Sequence, residues 1–324
     1  MPIQEADYIW KNGEMIPWAE ATTHVLTHAL LYGTCAFEGS RAYETNDGTV
    51  VFRNDAHVER LFYSARMYGI GIKYTEDEII EATRRTVREN GLKSAYIRTN
   101  AYLGYGEMSP AAANAPDDFV IAAFPWGRYM GADAIEKGVD VAVSSWRRLA
   151  GSTIPAGAKL AGNYLSSRLI AMEARRAGVT EGIGLSHEGL LSEAGSANLF
   201  LVKGGKLMTP PFSSSILHGI TRASIITLAK DLGIEVVEQE MPREMLYGAD
   251  EMFFTGTAAE ITPIRQVDGI AVGKGERPIT SALQKAFFGL FDGTTEDKWG
   301  WLDRVGDRKS TRLNSSHRML SRMP

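Results

Sequence analysis

The chain has 324 residues, with 44% hydrophobic and 23% charged side chains, and its 35 basic and 39 acidic residues give a formal net charge of −4. This composition is typical of folded globular proteins and excludes a disordered or collagen-like chain. A mildly acidic chain without a basic block also disfavours nucleic acid or an anionic membrane as the main partner. At roughly 100–200 residues per domain, the length predicts two domains.

Cysteine usage and hydropathy indicate where the protein works. The one cysteine, Cys35, excludes an intramolecular disulfide and strongly disfavours a cysteine-ligated zinc site, and we expect no metal. The opening segment 1–10 is acidic and short of apolar residues, unlike a secretion signal. The longest dense apolar run, 119–126, is far shorter than the roughly 18 residues of a spanning helix. We therefore expect a cytoplasmic protein without a membrane span.

The first part of the chain, 1–125, has the pattern of a small α/β domain. An Asn-Gly pair at 12–13 predicts a tight turn between two strands, and Thr75 with Glu78 predicts a capping box at the start of a helix. The elements predicted in chain order are strands at 8–10 and 14–16, strands within 32–53 that turn at 47–48, a helix over 55–69, a helix from 75 to 90, and strands at 95–103 and 118–125.

The segment 126–131 follows Pro125 and contains two glycines, which predicts a linker between the domains. The elements predicted after it are a strand at 139–144, a helix over 164–177, strands at 181–186, 197–203 and 206–209, a helix over 221–232, strands at 234–239 and 251–255, and a helix near 279–289. Strands outnumber helices and cluster along the chain. We therefore expect an α+β protein whose second, larger domain covers 132–305.

The last segment, 306–324, has no apolar period and reads GDRKSTRLNSSHRMLSRMP. Its stretch DRKSTRLNSSH resembles a translated sequencing adapter joined to a truncated reading frame, which predicts a non-native or disordered tail. The alternative is a natural basic, disordered tail. In either case we expect no function from this segment.

Two small-residue turns could bind an anion. The run Leu217-His218-Gly219-Ile220-Thr221 precedes a helical pattern, and the free N–H groups and positive dipole end of a helix start attract phosphate. Gly256 and Thr257 lie in a turn after a predicted strand, and such a turn can also surround an anion. Taken alone, each pattern is more typical of a plain helix cap or an ordinary turn.

Three charged residues could carry chemistry. Lys159 lies among small residues, where its amine could contact a flat cofactor, lose hydration and become a nucleophile. Glu193 follows an apolar pair and enters a small-residue turn, where its carboxylate could keep a ring nitrogen protonated. Arg60 lies on the helix predicted over 55–69. The ordinary interpretations are a solvated loop lysine, a surface acid and a surface arginine, and no single residue excludes them.

Together and in this order, these patterns resemble the branched-chain amino-acid aminotransferases, which are pyridoxal-phosphate enzymes of fold type IV. The resemblance extends from about residue 6 to residue 305. The motifs that carry it are YGTCAFEG at 32–39, AYIR at 95–98, AFPWG at 123–127, KLAGNYLSS at 159–167, SE at 192–193 with NLF at 198–200, GITR at 219–222 and GTAAE at 256–260. It implies a two-domain architecture like that of D-amino-acid aminotransferases, with pyridoxal 5'-phosphate at the domain interface.

The resemblance also implies roles for residues that bind the cofactor. Lys159 would be the catalytic residue, forming a Schiff base with the cofactor and later moving the substrate proton. Glu193 would face the ring nitrogen and keep it protonated, and Tyr164 would donate a hydrogen bond to the phenolic oxygen. The residues implied to surround the cofactor and its phosphate are Arg60, Leu217, Gly219, Ile220, Thr221, Gly256 and Thr257.

The segment Tyr96-Ile97-Arg98 matches the Tyr-x-Arg pattern of the branched-chain L-enzymes, in which the arginine could pair with the distal carboxylate of glutamate. The residues implied to contact substrate are Tyr32, Phe37, Gly39, Tyr96, Arg98, Trp126, Tyr129, Thr257 and Ala258. Apolar walls with one cation suit a pocket that must accept both leucine and glutamate. The expected reaction is ping-pong transamination of L-leucine, L-isoleucine or L-valine with 2-oxoglutarate.

D-amino-acid aminotransferases, (R)-amine aminotransferases and aminodeoxychorismate lyases share the superfamily and are alternatives. Intact Lys159 and Glu193 disfavour a non-catalytic binding protein. Two residues depart from the family pattern, Ala194 in place of Gly and His218 in place of Pro, and we expect His218 to point outward. The resemblance further implies a homodimer or higher assembly, in which a loop of the partner's small domain completes the active site.

Overall fold

Two sheets packed with helices form the part of the chain that the computed structural model describes, which is residues 3–127, 130–131 and 133–306. The strands are β1 Tyr8–Lys11, β2 Glu14–Pro17, β3 Cys35–Thr45, β4 Gly48–Phe52, β5 Ala95–Leu103, β6 Asp117–Phe124, β7 Val139–Arg147, β8 Glu181–Leu185, β9 Leu191–Ala194, β10 Asn198–Lys203, β11 Lys206–Thr209, β12 Val236–Glu238, β13 Glu251–Gly256, β14 Glu260–Val267, β15 Ile270–Ala271 and β16 Leu302–Arg304. The helices are α1 His28–Tyr32, α2 Asn54–Met67, α3 Glu76–Glu89, α4 Ala134–Lys137, α5 Tyr164–Arg176, α6 Ile220–Asp231 and α7 Pro278–Asp292.

The first sheet has the strand order β16-β4-β3-β5-β6-β1-β2, and its neighbouring strands are antiparallel. The predicted hairpin β1-β2 is confirmed. Asn12 and Gly13 both have positive φ, 50° and 103°, as a two-residue hairpin turn requires. α2 packs on β3 and α3 on β6, so that Leu61 and Ile79 of the helices join Ile97 and Ile121 of the sheet in one core.

The capping box predicted at the start of α3 is confirmed. The backbone N–H of Glu78 donates to the Thr75 hydroxyl oxygen over 3.3 Å, and the backbone N–H of Thr75 donates to the Glu78 carboxylate over 2.8 Å. Two N–H groups at the helix start are satisfied in this way, which fixes the residue at which α3 begins.

The second sheet has the strand order β12-β11-β10-β13-β14-β7-β8-β9, with β15 added to β14. It is mixed, since β14, β7 and β8 run parallel while β10, β13 and β14 alternate in direction. α5 joins β7 to β8 and packs against both. The stacked rings of Phe200 and Phe253, 5.1 Å apart, lie in the core between this sheet and α6 and α7.

Several strands lie where none was predicted, among them β9, β14 and β16. Every residue of β9 is buried, so its sequence lacks the polar alternation that marks a half-buried strand. Glu193 is the third residue of this unpredicted strand, and the bend of small residues expected after it lies at 195–197. β14 lies between β13 and β7 and contains Pro263, a residue that argues against a central strand in a sequence pattern.

The predicted domain limits stay a prediction. β16 near the end of the described chain pairs with β4 in the first sheet, so the chain returns to the sheet in which it began. Residues 128 and 129 of the predicted linker 126–131 lie outside the described residues, as does the predicted tail beyond Gly306. No helix in the described residues is long and apolar enough to cross a membrane.

The loop between β7 and α5 contacts the first sheet and so brings Lys159 to the junction of the two sheets. The backbone N–H of Phe37 in β3 donates to the Lys159 carbonyl oxygen over 3.0 Å, and the Lys159 N–H donates to the Ser64 hydroxyl of α2 over 2.9 Å. Ala36 and Leu160 form an isolated antiparallel bridge beside them. The main chain on both sides of Lys159 is thus fixed against β3 and α2.

Candidate active site

A cavity of about 550 Å³ lies where the two sheets meet. It brings together residues that are far apart in sequence, from β3 to the turn after β13. Every predicted site residue that the structure describes, except Tyr32, lines it: Phe37, Gly39, Arg60, Tyr96, Arg98, Trp126, Lys159, Tyr164, Glu193, Leu217, Gly219, Ile220, Thr221, Gly256, Thr257 and Ala258. Tyr129 lies outside the described residues.

Lys159 presents its amine to the cavity and does not extend into solvent. Its Nζ donates to the hydroxyl oxygen of Tyr164, the first residue of α5, over 2.6 Å. The Nζ also lies 4.8 Å from the ring centre of Phe37, whose ring meets that of Tyr164 edge to face. One hydrogen bond and two aromatic faces therefore hold the amine in place.

Glu193 is enclosed at the cavity wall, with 4% of its surface exposed. Its Oε1 accepts from Nη2 of Arg148 over 2.6 Å. Its Oε2 accepts from Nδ2 of Asn198 over 2.8 Å and from the backbone N–H of Leu217 over 3.1 Å. Burial raises the pKa of Glu193, and the charge of Arg148 opposes that rise.

The start of α6 forms a cradle at another part of the cavity. Gly219, Ile220 and Thr221 all line it, and the first N–H groups of a helix have no partner within the helix. A Cβ on Gly219 would collide with Oδ1 of Asn198, so only glycine lets the backbone come this close. Gly256 and Thr257, at the end of β13, also line the cavity. The start of α6 together with the turn at Gly256 and Thr257 can therefore bind an anion.

Arg60 belongs to a buried cluster and is not a surface arginine. Its Nε and Nη2 donate to the two carboxylate oxygens of Glu38 over 2.6 and 2.8 Å, and its Nη1 donates to the His218 carbonyl oxygen over 2.8 Å. The Nδ1 of His57 lies 2.6 Å from Oε2 of Glu38. Burial alone would raise the pKa of Glu38, but Arg60 and His57 lower it well below its usual range.

The His218 side chain is exposed and does not line the cavity. Its ring lies 3.9 Å from that of Phe212, and a Cβ on Gly157 would come within 3.0 Å of its Nε2. His218 thus packs beside the loop that carries Lys159, while its carbonyl oxygen accepts from Arg60.

The wall formed by β3 and β5 combines aromatic rings with one cation. The guanidinium of Arg98 lies 4.6 Å from the ring centre of Phe37, and its Nη2 donates to the Tyr96 hydroxyl over 3.1 Å. The rings of Tyr96 and Trp126 are 5.2 Å apart. Gly39 leaves room for this arrangement, because a Cβ there would collide with the Tyr96 hydroxyl.

Tyr32 lies apart from the other predicted site residues. It ends α1, its side chain is 46% exposed, and its hydroxyl donates to the Met108 carbonyl oxygen over 2.8 Å. Tyr32 therefore does not line the cavity of its own chain, contrary to the prediction. α1 is held instead against the loop that follows β5, where the Nε2 of His28 lies 2.9 Å from the Ser109 carbonyl oxygen.

The family model for amino-transferase class IV matches residues 36–267. The chain belongs to the class IV aminotransferase family. The branched-chain-amino-acid aminotransferase of Escherichia coli (strain K12) is 56% identical over 309 residues, which are 94% of this chain and 99% of that protein. The enzyme of the same name from Pseudomonas aeruginosa is 47% identical over 294 residues, covering 90% and 95% of the two chains.

Solved structures agree with this class IV aminotransferase in fold. The crystal structure of the Escherichia coli branched-chain amino acid aminotransferase superposes with a TM-score of 0.92 at 56% identity, covering 93% of this chain and all of that one. The T.th. branched-chain amino acid aminotransferase complexed with N-(5'-phosphopyridoxyl)-L-glutamate gives a TM-score of 0.88 at 40% identity, covering 93% and 99%. The α+β fold type IV architecture expected from the sequence is confirmed, and its strands form two sheets.

Several site residues of this aminotransferase were not predicted as such, notably Arg148, Glu38 and Glu181. Each is a charged residue with less than a tenth of its surface exposed. Arg148 and Glu181 line the cavity, and Glu38 holds Arg60. Arg148 comes directly after Arg147, the last residue of β7. Two adjacent arginines at the end of a strand are typical of an exposed segment, so nothing in the local sequence indicates that Arg148 is buried. Glu38 lies within the YGTCAFEG motif at 32–39, so the family motif could have indicated it as a site residue.

Proposed function

We propose that this chain is a pyridoxal-phosphate-dependent branched-chain aminotransferase, which exchanges the amino group between L-leucine, L-isoleucine or L-valine and L-glutamate. The observation that carries the proposal is one cavity that holds the Lys159 amine against Tyr164, the buried Glu193 carboxylate and the start of α6. The relatives that bear this name match almost the full length of the chain.

The cavity residues fit pyridoxal phosphate by their chemistry. The cofactor has an aldehyde, a basic ring nitrogen and a phosphate, and the cavity offers an amine, a carboxylate and a helix N-terminus with the hydroxyls of Thr221 and Thr257. When bound, it supplies an aldehyde that condenses with amines and a ring that accepts the electrons of the α-carbon. The T.th. enzyme was also solved with pyridoxamine 5'-phosphate.

The chain's own residues would then hold and move protons. Lys159 would take the proton from the substrate α-carbon with its Nζ, and Tyr164 holds that Nζ in one orientation over 2.6 Å. Glu193 would accept a hydrogen bond from the protonated ring nitrogen. The phosphate would be bound by Ile220 and Thr221 of α6, and by Arg60 and Thr257.

The substrate side chain would contact the aromatic wall. Phe37, Tyr96 and Trp126 provide apolar surface for a branched side chain, and Arg98 provides a cation for the distal carboxylate of glutamate. The other residues proposed to contact substrate are Gly39, Tyr129, Thr257 and Ala258. Arg98 is held against Phe37 and Tyr96, so the same wall can receive either substrate without a large rearrangement.

The experiment is an amino-donor panel on purified protein loaded with pyridoxal phosphate. The visible absorption band should disappear with L-leucine and return with 2-oxoglutarate, and Lys159→Ala should abolish both changes. Arg98→Gln should weaken the response to 2-oxoglutarate more than the response to L-leucine. A protein that is inert to branched-chain L-amino acids but active on D-alanine would contradict the proposal.

We also propose that the chain works as a homodimer, in which Tyr32 reaches the partner's cavity. The support is an exposed apolar patch, here called the Tyr32 patch, with Leu30 65%, Tyr105 55% and Met108 53% exposed. Patches of this kind on globular proteins mark interaction surfaces. The Tyr32 patch consists of Val25, Leu30, Leu31, Tyr32, Tyr105 and Met108.

Light scattering tests this assembly. The protein should have the mass of a dimer or a multiple of it. The double variant Leu30→Glu, Leu31→Glu should be monomeric and less active. Ile270→Glu is the control, because Ile270 is exposed on a hairpin away from the Tyr32 patch, and its mass should equal that of wild type. A monomeric, fully active wild-type protein would contradict it.

We propose a cytoplasmic location, supported by the single cysteine, since proteins of oxidising compartments commonly rely on disulfides. Cell fractionation should recover the transaminase activity with cytoplasmic marker enzymes. Recovery with periplasmic or membrane markers would contradict it.

A further inference from the structure

Arg148 and Glu193 form an ion pair that is almost fully removed from water, with 7% and 4% of their surfaces exposed. Their Nη2 and Oε1 atoms are 2.6 Å apart. Such a pair adds little net stability, because the lost hydration of both charges offsets their attraction. Stability alone therefore does not account for a cation at this position.

Both the main chain and the side chain of Arg148 are held in place. Its backbone N–H donates to the Leu185 carbonyl oxygen over 2.8 Å, and its Nη1 donates to the Ser167 hydroxyl of α5 over 3.0 Å. Gly184 in β8 makes room for its stem, since a Cβ there would lie 3.0 Å from Cγ of Arg148. In this arrangement the guanidinium bridges the Ser167 hydroxyl and the Glu193 carboxylate.

The carboxylate of Glu193 has no other cation in hydrogen-bond contact among the described residues. Asn198 and the backbone of Leu217 donate neutral hydrogen bonds to Oε2. Burial favours the neutral acid and raises the pKa of Glu193, while Arg148 is the strongest opposing influence. Without Arg148, the enclosed acid would gain a proton more readily.

We propose that Arg148 is a positioning residue for the reaction, which holds Glu193 ionised and oriented so that the proton shared with the cofactor's ring nitrogen stays on the ring. The inference rests on the function proposed above. One proton lies between two bases, the Glu193 carboxylate and the ring nitrogen. The positive charge of Arg148, next to the carboxylate, stabilises the arrangement with the proton on nitrogen. A protonated ring is a stronger electron acceptor than a neutral one.

The test measures where that proton lies. Arg148→Met keeps a linear apolar stem without the charge, and Arg148→Lys keeps the charge. Each variant is loaded with pyridoxal phosphate labelled with nitrogen-15 in the ring, and the nitrogen chemical shift is recorded. Arg148→Met should move the shift toward that of a neutral ring, as Glu193→Gln should also do, and Arg148→Lys should restore part of the wild-type value. The affinity of the apoprotein for pyridoxal phosphate should also fall in Arg148→Met and recover in part in Arg148→Lys.

Two further variants separate this role from a structural one. Arg148→Met combined with Glu193→Gln leaves no unpaired buried charge, so it should fold, and its nitrogen shift should equal that of Glu193→Gln alone. Arg84→Met removes another paired arginine, on α3 far from the cavity, and should leave the shift unchanged.

A wild-type nitrogen shift in Arg148→Met would overturn the inference while leaving the proposed function intact. A wild-type protein that binds no pyridoxal phosphate would instead overturn the proposed function. A lower kcat in Arg148→Met with an unchanged KM for L-leucine is also expected, because the residue acts at the ring and not at the substrate side chain.

Discussion

The Nη1 of Arg60 donates a 2.8 Å hydrogen bond to the carbonyl oxygen of His218, the residue just before Gly219. Arg60 lies on α2 beside the first sheet, and His218 precedes α6 beside the second. The contact ties the two sheets together at the proposed phosphate site. Glu38 sets its geometry, because it holds the other two nitrogens of the guanidinium.

Glu38→Gln should therefore weaken both the fold and cofactor binding. The change leaves Arg60 buried without its counter-charge, and breaking a buried pair lowers the free energy of unfolding by about 3 kcal/mol. Urea unfolding of the apoprotein and titration with pyridoxal phosphate measure the two effects. Glu44→Gln is the matched control, since Glu44 forms an exposed pair with Lys93 and should cost less than about 1 kcal/mol. Equal stability of the two variants would show that Glu38 does not organise the junction.

Tyr164→Phe should slow the chemical step. The phenyl ring keeps its edge contact with Phe37, but Lys159 loses the hydrogen bond that orients its Nζ. Hydrogen bonds to charged groups contribute about 1.5–3 kcal/mol, so the single-turnover rate with L-leucine should fall roughly tenfold to a hundredfold. Tyr247→Phe, which removes a hydroxyl bonded to Asp268 away from the cavity, should leave that rate unchanged. A Tyr164→Phe rate within twofold of wild type would rule out this role.

The contribution of Glu181 to the free energy of unfolding of the apoprotein should decrease as the pH rises. It is 4% exposed, and burial raises the pKa of its carboxyl group in the folded chain. An acid with a raised folded pKa binds its proton more tightly when folded, so its contribution is complete below the unfolded pKa of about 4.3 and is lost as pH rises through the folded pKa. The free energy of unfolding of wild type, measured relative to that of Glu181→Gln, should therefore decrease as the pH is raised above about 4.3.

Glu38→Gln provides the comparison of opposite sign for that measurement. The folded pKa of Glu38 is lowered, so its contribution is present above about pH 4.3 and is lost as the pH falls toward the folded pKa. The difference between wild type and Glu38→Gln should therefore grow as the pH rises toward about 4.3 and stay constant above it, where the difference between wild type and Glu181→Gln shrinks. Parallel curves for the two variants would contradict the assignments.

The thiol of Cys35 should react slowly in the folded protein. Burial raises its pKa to about 12, although the charge of Arg98 opposes the rise. At pH 8 a disulfide reagent should modify it roughly a thousandfold more slowly than in urea, because only the thiolate attacks. The chain has one cysteine, so the released thiol reports this site alone. Rapid stoichiometric modification of the native protein would contradict the prediction.

Local signals in the sequence determined most elements. The Asn-Gly turn, the capping box at Thr75 and the apolar spacing of α2 all depend on contacts within a few residues, and the structure confirms them. The aminotransferase motifs likewise named Lys159, Tyr164 and Glu193, since these positions carry their chemistry in the residue type itself.

What only the tertiary structure decided are the partners of those residues. The sequence does not show that Arg148 pairs with Glu193 or that Glu38 pairs with Arg60. Nor does it show that Tyr32 lies outside the cavity of its own chain. A charged residue looks alike in sequence whether it is solvated or buried, because its burial depends on strands that are distant along the chain. The fully buried strand β9 escaped prediction for the same reason, since a strand covered on both faces by remote elements shows no alternation of its own.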